Sequence, residues 1–133
     1  MAVVIDSNIL IDFERGSFDL DKHITDRQEE FYLSAITASE LLHGLFRSTN
    51  TSVTARRREF VEGILRRFKT LPIDLSVARV HAEIYATLLH SGQTIGIHDC
   101  WIGATCISNG FSLATRNIRE FNRIPNLKIE LWD

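Results

Sequence analysis

Four carboxylates and one carboxamide stand where predicted strands end or predicted helices begin: Asp6, Glu40, Asp99, Asn117 and Glu120. In an open parallel sheet, ligands bind beyond the carboxyl ends of the strands, so these side chains can converge on one edge. Carboxylates brought that close raise one another's pKa unless a cation neutralises them. Ligands that are all oxygen select Mg²⁺ or Mn²⁺ rather than zinc. The pattern predicts a divalent metal site.

Each of these residues also has a purely structural interpretation, which the sequence leaves open. Asp6 can belong to a helix cap. Glu40 can be the reciprocal partner of Thr37 in a capping box. Asp99 favours the positive end of its helix, which also keeps it ionised. Glu120 is typical of a solvated helix residue paired with a neighbouring arginine, and Asn117 is expected to cap a short helix while facing the site.

The sequence lacks the motifs of several other kinds of catalytic site. No HxxxH or CxxC pair is present, so a zinc site is not expected. Neither a glycine-rich phosphate loop nor a GxSxG nucleophile appears. Among the five histidines only His98, beside Asp99, falls near the predicted site, where we expect a structural or substrate-facing role.

Four or five short apolar runs alternate with helical patterns, which predicts a parallel α/β sheet with right-handed crossovers. Thr37 and Ser76 are the expected caps of two of the helices. The predicted strands cover residues 2–6, 31–35, 71–74, 111–115 and 127–131, and the predicted helices begin near residues 8, 37, 53, 76, 99 and 117.

The composition is that of one ordinary globular domain spanning residues 1–133, with 44% hydrophobic residues and only seven glycines. Cys100 and Cys106 are expected to be buried thiols in a reducing compartment. No apolar run approaches the roughly 20 residues of a membrane span, and the first residues lack the features of a signal peptide. We therefore expect a cytoplasmic protein without membrane contact.

The formal charge of −2 argues against a uniformly basic surface, but the charges are unevenly distributed. The segment 47–69 contains seven basic and two acidic residues and is predicted to form an amphipathic helix with a basic face. Such a face is usually only solvated. Its functional interpretation is contact with a phosphate backbone.

Four blocks of sequence, in order and spanning nearly the whole chain, resemble those of PIN-domain ribonucleases, and among these the VapC toxins. The blocks are VVIDSNILID, ITASELLHGLFRS, IGIHDCWIGATCISNG and LATRNIREFNRIPNLKIELWD. The resemblance implies a three-layer α/β/α sandwich around a parallel sheet of order 3-2-1-4-5. It also implies an acidic cluster that binds Mg²⁺, with Mn²⁺ as a substitute.

The resemblance assigns the metal ligands residue by residue. Asp6 matches the first acid, Glu40 the second and Asp99 the third. Ser7 matches the hydroxyl that often follows the first acid. These four residues are therefore the expected centre of the site.

The last block departs from part of the family. Thr115, Arg116 and Asn117 form a TRN sequence in which Asn117 occupies a fourth acidic position. The missing charge weakens a second metal site in this interpretation and leaves Glu120 as an outer helper. We expect Asn117 to take part in catalysis, and Thr115, Arg116 and Glu120 to support the site or contact substrate.

The resemblance further implies an endoribonuclease toxin of a toxin–antitoxin system, which hydrolyses RNA to 5′-phosphate and 3′-hydroxyl ends. It implies a homodimer and a VapB-type antitoxin that covers the active site. Apolar residues near the first helices are candidates for the antitoxin groove, although some can equally belong to the core: Ile11, Phe13, Leu45 and Phe46.

Three other classes of function remain as alternatives. A phosphatase of the haloacid-dehalogenase type also uses an aspartate after its first strand, but it requires DxD where this chain has Asp6, Ser7 and Asn8. A receiver-like domain would need adjacent early acids and a late lysine, and no lysine follows the fourth predicted strand directly. A non-catalytic α/β binding module is the remaining alternative if the acidic cluster does not assemble.

Overall fold

The computed structural model describes residues 2–133, which form five strands, seven α-helices and one 3₁₀ turn at Gly44–Phe46. In chain order the elements are β1 (Ala2–Ile5), α1 (Ser7–Glu14), α2 (Leu20–Ile24), β2 (Glu30–Ser34), α3 (Ala35–His43), α4 (Thr51–Arg67), β3 (Lys69–Leu71), α5 (Leu75–His90), α6 (Ile97–Asn109), β4 (Ser112–Thr115), α7 (Ile118–Phe121) and β5 (Ile129–Leu131). Within these residues no helix is long and apolar enough to cross a membrane.

The five strands form one parallel sheet in the order β3-β2-β1-β4-β5, which confirms the expected fold. β1 lies at the centre, where Val4 is opposite Tyr32 of β2 and Leu113 of β4. All four β1 residues are buried. A central parallel strand is covered on both faces, which explains why this strand is a continuous apolar run rather than an alternating one.

Two hydrophobic cores cover the two faces of the sheet. Val3 and Ile5 of β1 pack in the core shared with α1, α3 and α4, whereas Val4 packs in the core shared with α5 and α6. Successive strand residues point to opposite faces, so three neighbouring residues contribute to both cores. The result is the predicted three-layer arrangement of helices, sheet and helices.

Three predicted boundaries are wrong, and short polar side chains explain two of them. α3 begins two residues before Thr37, because the Ser34 hydroxyl accepts the Thr37 backbone N–H and caps the helix. α5 is capped by Asp74 rather than by Ser76, through the Val77 backbone N–H at 3.0 Å.

The third wrong boundary is that of β3, which ends at Leu71. The next residue, Pro72, has no backbone N–H with which to continue the ladder. The strand predicted at 71–74 therefore lies slightly earlier in the chain.

Helix α6 packs closely against the segment that follows α7. A Cβ atom added to Gly103 would lie 2.5 Å from Ile124 Cδ1, so a larger residue here would force the buried Ile124 side chain to move. Cys100 and Cys106 are buried free thiols on the same helix, as predicted. The helix ends as expected at Gly110, whose φ of 71° is the left-handed conformation that favours glycine.

Candidate active site

Asp6 lies at the carboxyl end of the central strand, where it is 1% exposed. Its Oδ2 accepts a hydrogen bond of 2.7 Å from the Thr115 hydroxyl, across the β1–β4 pair. Asp6 occupies the N-cap position of α1, but its side chain makes no capping hydrogen bond, so the cap interpretation does not account for it. Burial raises the pKa of Asp6 from 3.8 to about 6 even though Thr115 and Ser7 donate hydrogen bonds to it.

Ser7 connects Asp6 to Glu40. The Ser7 hydroxyl donates to Glu40 Oε1 at 3.1 Å and lies 3.4 Å from Asp6 Oδ1. The capping-box interpretation of Glu40 is wrong, since Ser34 already accepts the backbone N–H of Thr37 and Glu40 lies further along α3. The carboxylate of Glu40 is therefore directed to the end of β1.

Asp99 and Glu120 form a second pair of carboxyl groups. Asp99 lies in the first turn of α6, and its carboxyl group lies beside that of Glu120 on α7, which raises the pKa of Asp99 because the two groups can share a proton. Both approach Gly96, where an added Cβ would lie 3.6 Å from Asp99 Oδ2 and 3.9 Å from Glu120 Oε2. The predicted pairing of Glu120 with an arginine is wrong: within residues 2–133 it forms no salt bridge.

The two carboxyl pairs lie in one electrostatic environment. Burial, the hydrogen bond with Glu120 and the charges of Asp6 and Glu40 all raise the pKa of Asp99. In the described part of the chain, no lysine or arginine forms a salt bridge with any of the four acids. The His98 imidazole lies beside the cluster, with its Nδ1 3.7 Å from Glu40 Oε2.

Thr115 forms hydrogen bonds both with Asp6 and with the segment that follows β4. Its Oγ1 accepts the Asn117 backbone N–H at 2.9 Å while its own hydrogen goes to Asp6. The side chain of Asn117 makes no capping hydrogen bond to α7, contrary to expectation. Arg116 is ion-paired with Asp12 at 2.9 Å, so its charge is directed to α1.

The residues present fit a divalent cation. Asp6, Glu40 and Asp99 supply only oxygen donors, which suit Mg²⁺ or Mn²⁺, and their charges repel one another in the absence of a counter-charge. Across residues 2–133, no three His, Cys, Asp or Glu side chains are already gathered closely enough to hold a metal. Like charges keep the two carboxyl pairs apart, and a bound cation would offset that repulsion.

Two further features lie beside the acids. His98 was expected near the site because it is next to Asp99 in the sequence, and its Nδ1 lies 3.7 Å from Glu40 Oε2. A groove of about 830 Å³ that runs along α1, α3 and α4 and includes Glu40 in its wall was not predicted. Sequence spacing does not identify this groove, since it depends on how separate helices pack.

Known proteins were compared with this chain in sequence and in structure. The model of the PIN domain family matches residues 3–127. Ribonuclease VapC1 of Rickettsia felis is 33% identical over 97% of this chain and 95% of its own length. The tRNA(fMet)-specific endonuclease VapC of Salmonella typhimurium is 33% identical over 84% of this chain and 85% of its own.

Solved structures agree with the sequence relatives. The DNA-bound VapBC of Salmonella typhimurium has a TM-score of 0.92 and 28% identity, covering 100% of this chain and 99% of that one. VapBC2 of Rickettsia felis, bound to a fragment of promoter DNA, has a TM-score of 0.89 and 25% identity, covering 100% of both chains.

The parallel sheet of order 3-2-1-4-5 and the acids at its carboxyl edge define a PIN domain, and the chain belongs to the PIN-domain family. The match covers most of the chain rather than a motif. Within that family its sequence relatives place it among the VapC ribonucleases.

Proposed function

We propose that this protein is a Mg²⁺-dependent endoribonuclease and the toxin of a toxin–antitoxin pair. The observation that carries the proposal is that Asp6, linked through Ser7 to Glu40, lies near enough to Asp99 for its charge to raise the pKa of Asp99, while no lysine or arginine within residues 2–133 forms a salt bridge with these acids. The membership of the chain in a family of ribonucleases supports it. We propose Mg²⁺ as the physiological ion and Mn²⁺ as a substitute.

Asp6, Glu40 and Asp99 would hold the ion. When bound, a divalent ion lowers the pKa of water and stabilises the charge that develops on the phosphate. Thr115 fixes one oxygen of Asp6, and Ser7 holds Glu40 beside it. These hydrogen bonds orient the two carboxylates before any ligand arrives.

Two hydroxyl groups lie beside the acids, those of Ser7 and Thr115. Their hydrogens are both donated to carboxylates, and within residues 2–133 neither hydroxyl has a histidine or lysine base bonded to it. Water is therefore the proposed nucleophile, and the products carry 5′-phosphate and 3′-hydroxyl ends. A 2′,3′-cyclic phosphate would instead require attack by the ribose 2′-hydroxyl.

We propose that Asn117 and Glu120 together take the place of the fourth acid of the family. Asn117 is neutral there, and Glu120 contributes its carboxyl group through the hydrogen bond with Asp99. Asn117 is half-buried and follows the strand that holds Thr115. Arg116 supports the site indirectly, because it ties this segment to Asp12 of α1.

We propose a VapB-type antitoxin as the protein partner and a homodimer as the form of the toxin. The solved relatives of Salmonella typhimurium and Rickettsia felis are VapBC complexes. Of the apolar residues predicted for the antitoxin groove, Phe46 is 79% exposed and remains a candidate. Leu45 is 3% exposed and belongs to the core, while Ile11 and Phe13 pack partly against that core.

The two cores share one sheet, and we propose that residues 1–133 form one domain. We also propose a cytoplasmic location. RNA substrates are found there, and a reducing environment suits the free thiols of Cys100 and Cys106.

The decisive test is cleavage of labelled RNA by the purified chain. Transfer RNA is the first substrate to use, because two relatives are named for tRNA(fMet). We expect cleavage with Mg²⁺, none with EDTA, and none from Asp6→Asn or Asp99→Asn, both folded by circular dichroism. Metal-independent cleavage, cyclic phosphate ends or full activity of either variant would contradict the proposal. Hydrolysis of p-nitrophenyl phosphate without RNA cleavage would favour a phosphatase.

A further inference from the structure

The groove along α1, α3 and α4 carries a concentration of arginines. Arg15 directly after α1, Arg47 after α3, and Arg56 and Arg57 of α4 all line it. Arg15, Arg47 and Arg56 are exposed. The structure thus brings Arg15 together with part of the basic segment 47–69.

Three of these arginines have no internal counter-ion. Within residues 2–133, Arg15, Arg47 and Arg56 form no salt bridge, in contrast to Arg116 and its partner Asp12. Their charges are therefore available to a ligand.

The fourth arginine of the groove, Arg57, is only weakly satisfied. Its Nε lies 3.5 Å from Glu14 Oε2, but it is buried and has no hydrogen-bond partner in the described chain. A buried donor without a close acceptor is costly, and the contact with Glu14 offsets only part of that cost. Arg57 is therefore engaged inside the chain, and the charges open to a ligand are those of the other three arginines.

The groove leads to the acidic cluster. Glu40 forms part of its wall and bonds to Ser7, which in turn lies against Asp6. A ligand that lies along the arginines therefore arrives at the carboxylates. An extended polyanion satisfies both ends of this arrangement, because successive phosphates would bind the arginines while one phosphate lies at the acids.

The wall of the groove is not wholly charged. Ile11, Val53 and Phe60 also line it, and Phe60 packs at 5.9 Å between ring centroids against Phe13. Apolar surface beside arginines suits a single strand, whose bases are free to contact it, better than a duplex, whose base faces are stacked.

We infer that this groove is the path of single-stranded RNA, with Arg15, Arg47 and Arg56 contacting the phosphate backbone on the way to Glu40. The inference rests on the proposed ribonuclease function and adds the surface that binds the substrate. It also separates the arginines of α4 into those that line the groove and those that lie outside it. Arg56 lies in the groove, whereas Arg58 and Arg66 are exposed elsewhere on the same helix.

That division supplies a matched control. The test compares Arg47→Gln/Arg56→Gln with Arg58→Gln/Arg66→Gln, which removes the same charge from outside the groove. A fluorescent single-stranded oligouridylate is titrated with the full chain in EDTA, which prevents cleavage, over a range of salt concentrations. Circular dichroism checks that both variants fold.

We expect the groove variant to raise the Kd for the oligouridylate on the order of tenfold at 0.1 M salt, since each lost phosphate contact removes about 0.7 from the salt slope. The control variant should stay within about twofold of the wild type. In cleavage assays with Mg²⁺, the groove variant should raise KM and leave kcat nearly unchanged.

Equal Kd values and salt slopes for the two variants would overturn the inference while leaving the ribonuclease function intact, provided that the wild type still cleaves RNA. Wild-type protein that neither binds nor cleaves any RNA would overturn both. Normal RNA binding by the groove variant together with loss of antitoxin binding would assign the groove to a protein partner and overturn the inference.

Discussion

Replacing Asp6 with asparagine should stabilise the metal-free fold, although it should abolish activity. Asparagine has the same shape and retains an oxygen that accepts from the Thr115 hydroxyl. What it removes is a carboxylate that burial disfavours, as shown by a pKa of about 6 against an ordinary 3.8. Each pKa unit corresponds to about 1.4 kcal/mol, so the charged form destabilises the fold by about 3 kcal/mol.

The sign of the pH dependence follows from the raised pKa. Well below pH 4 the carboxyl group is protonated in both the folded and the unfolded chain, and it contributes no difference. Between about pH 4 and 6 the unfolded chain ionises while Asp6 of the folded chain stays protonated, so the wild type loses stability as the pH rises through this window. Above about pH 6 the folded chain ionises too, and the loss levels off. Asp6→Asn should therefore lie close to the wild type near pH 4 and exceed it by about 3 kcal/mol above pH 7.

Urea denaturation in EDTA at pH 4.5 and 7.5 measures this difference in the free energy of unfolding. Asp26→Asn, at an exposed aspartate outside the cluster, is the control and should show no such pH dependence. Added Mg²⁺ should stabilise the wild type at pH 7.5 and leave Asp6→Asn nearly unchanged, because a ligand stabilises only the state that binds it.

The reasoning is refuted if Asp6→Asn is less stable than the wild type at pH 7.5, or if the difference is the same at both pH values. Either result would mean that the Asp6 carboxylate holds the fold together through its hydrogen bonds. Burial would then not be the main influence on its energy.

Two further substitutions test how the site is supported. Thr115→Val removes the hydroxyl bonded to Asp6 and should lower kcat by about tenfold or more, with a loss of about 1–3 kcal/mol of stability. Thr115→Ser keeps the hydroxyl and should retain both activity and stability. A fully active Thr115→Val would show that Asp6 does not need this hydrogen bond to be oriented. Gly103→Ala should lower the free energy of unfolding by about 1–3 kcal/mol, because its Cβ would overlap Ile124. Unchanged thermal unfolding of Gly103→Ala would show that α6 can shift away from Ile124 freely.

The order of strands and helices was predictable because both faces of the sheet are buried. Apolar runs such as residues 2–5 and 111–115 then stand out from the amphipathic helices between them. The order of the strands within the sheet was not predictable in this way. Periodicity alone does not specify which strands pair, and the order 3-2-1-4-5 was predicted from the resemblance to a family.

Helix starts were predicted less well because capping signals are short and overlap. Ser34 and Thr37 both precede a helical pattern, and only the backbone shows that Ser34 accepts the N–H. Asp74 and Ser76 compete in the same way before α5. The error mattered for function, since the wrong cap made Glu40 look like a structural residue.

Within the site, the positions of Asp6 after a strand and of Asp99 at a helix start were predictable, whereas Glu40 was expected at a helix start and lies further along α3. The contact between Asp99 and Glu120 was not predictable, because it depends on how α7 packs against α6. The proximity of Arg15 and Arg47 was equally unpredictable from the sequence, because the packing of α1 against α3 brings together residues that are far apart in the chain.

The pairing of β1 with β4 also sets the order in which the enzyme can be assembled during its own synthesis. The Asp6 carboxylate reaches its Thr115 partner across 109 residues, so it emerges from the ribosome long before that partner exists. Until β4 has joined the sheet, Asp6 lacks the Thr115 hydroxyl, and α7, which follows β4, cannot bring Glu120 to Asp99. A nascent or truncated chain that ends before Ser112 therefore contains no assembled nuclease. The ribosome and its message are exposed to the toxin only after β4 has been made.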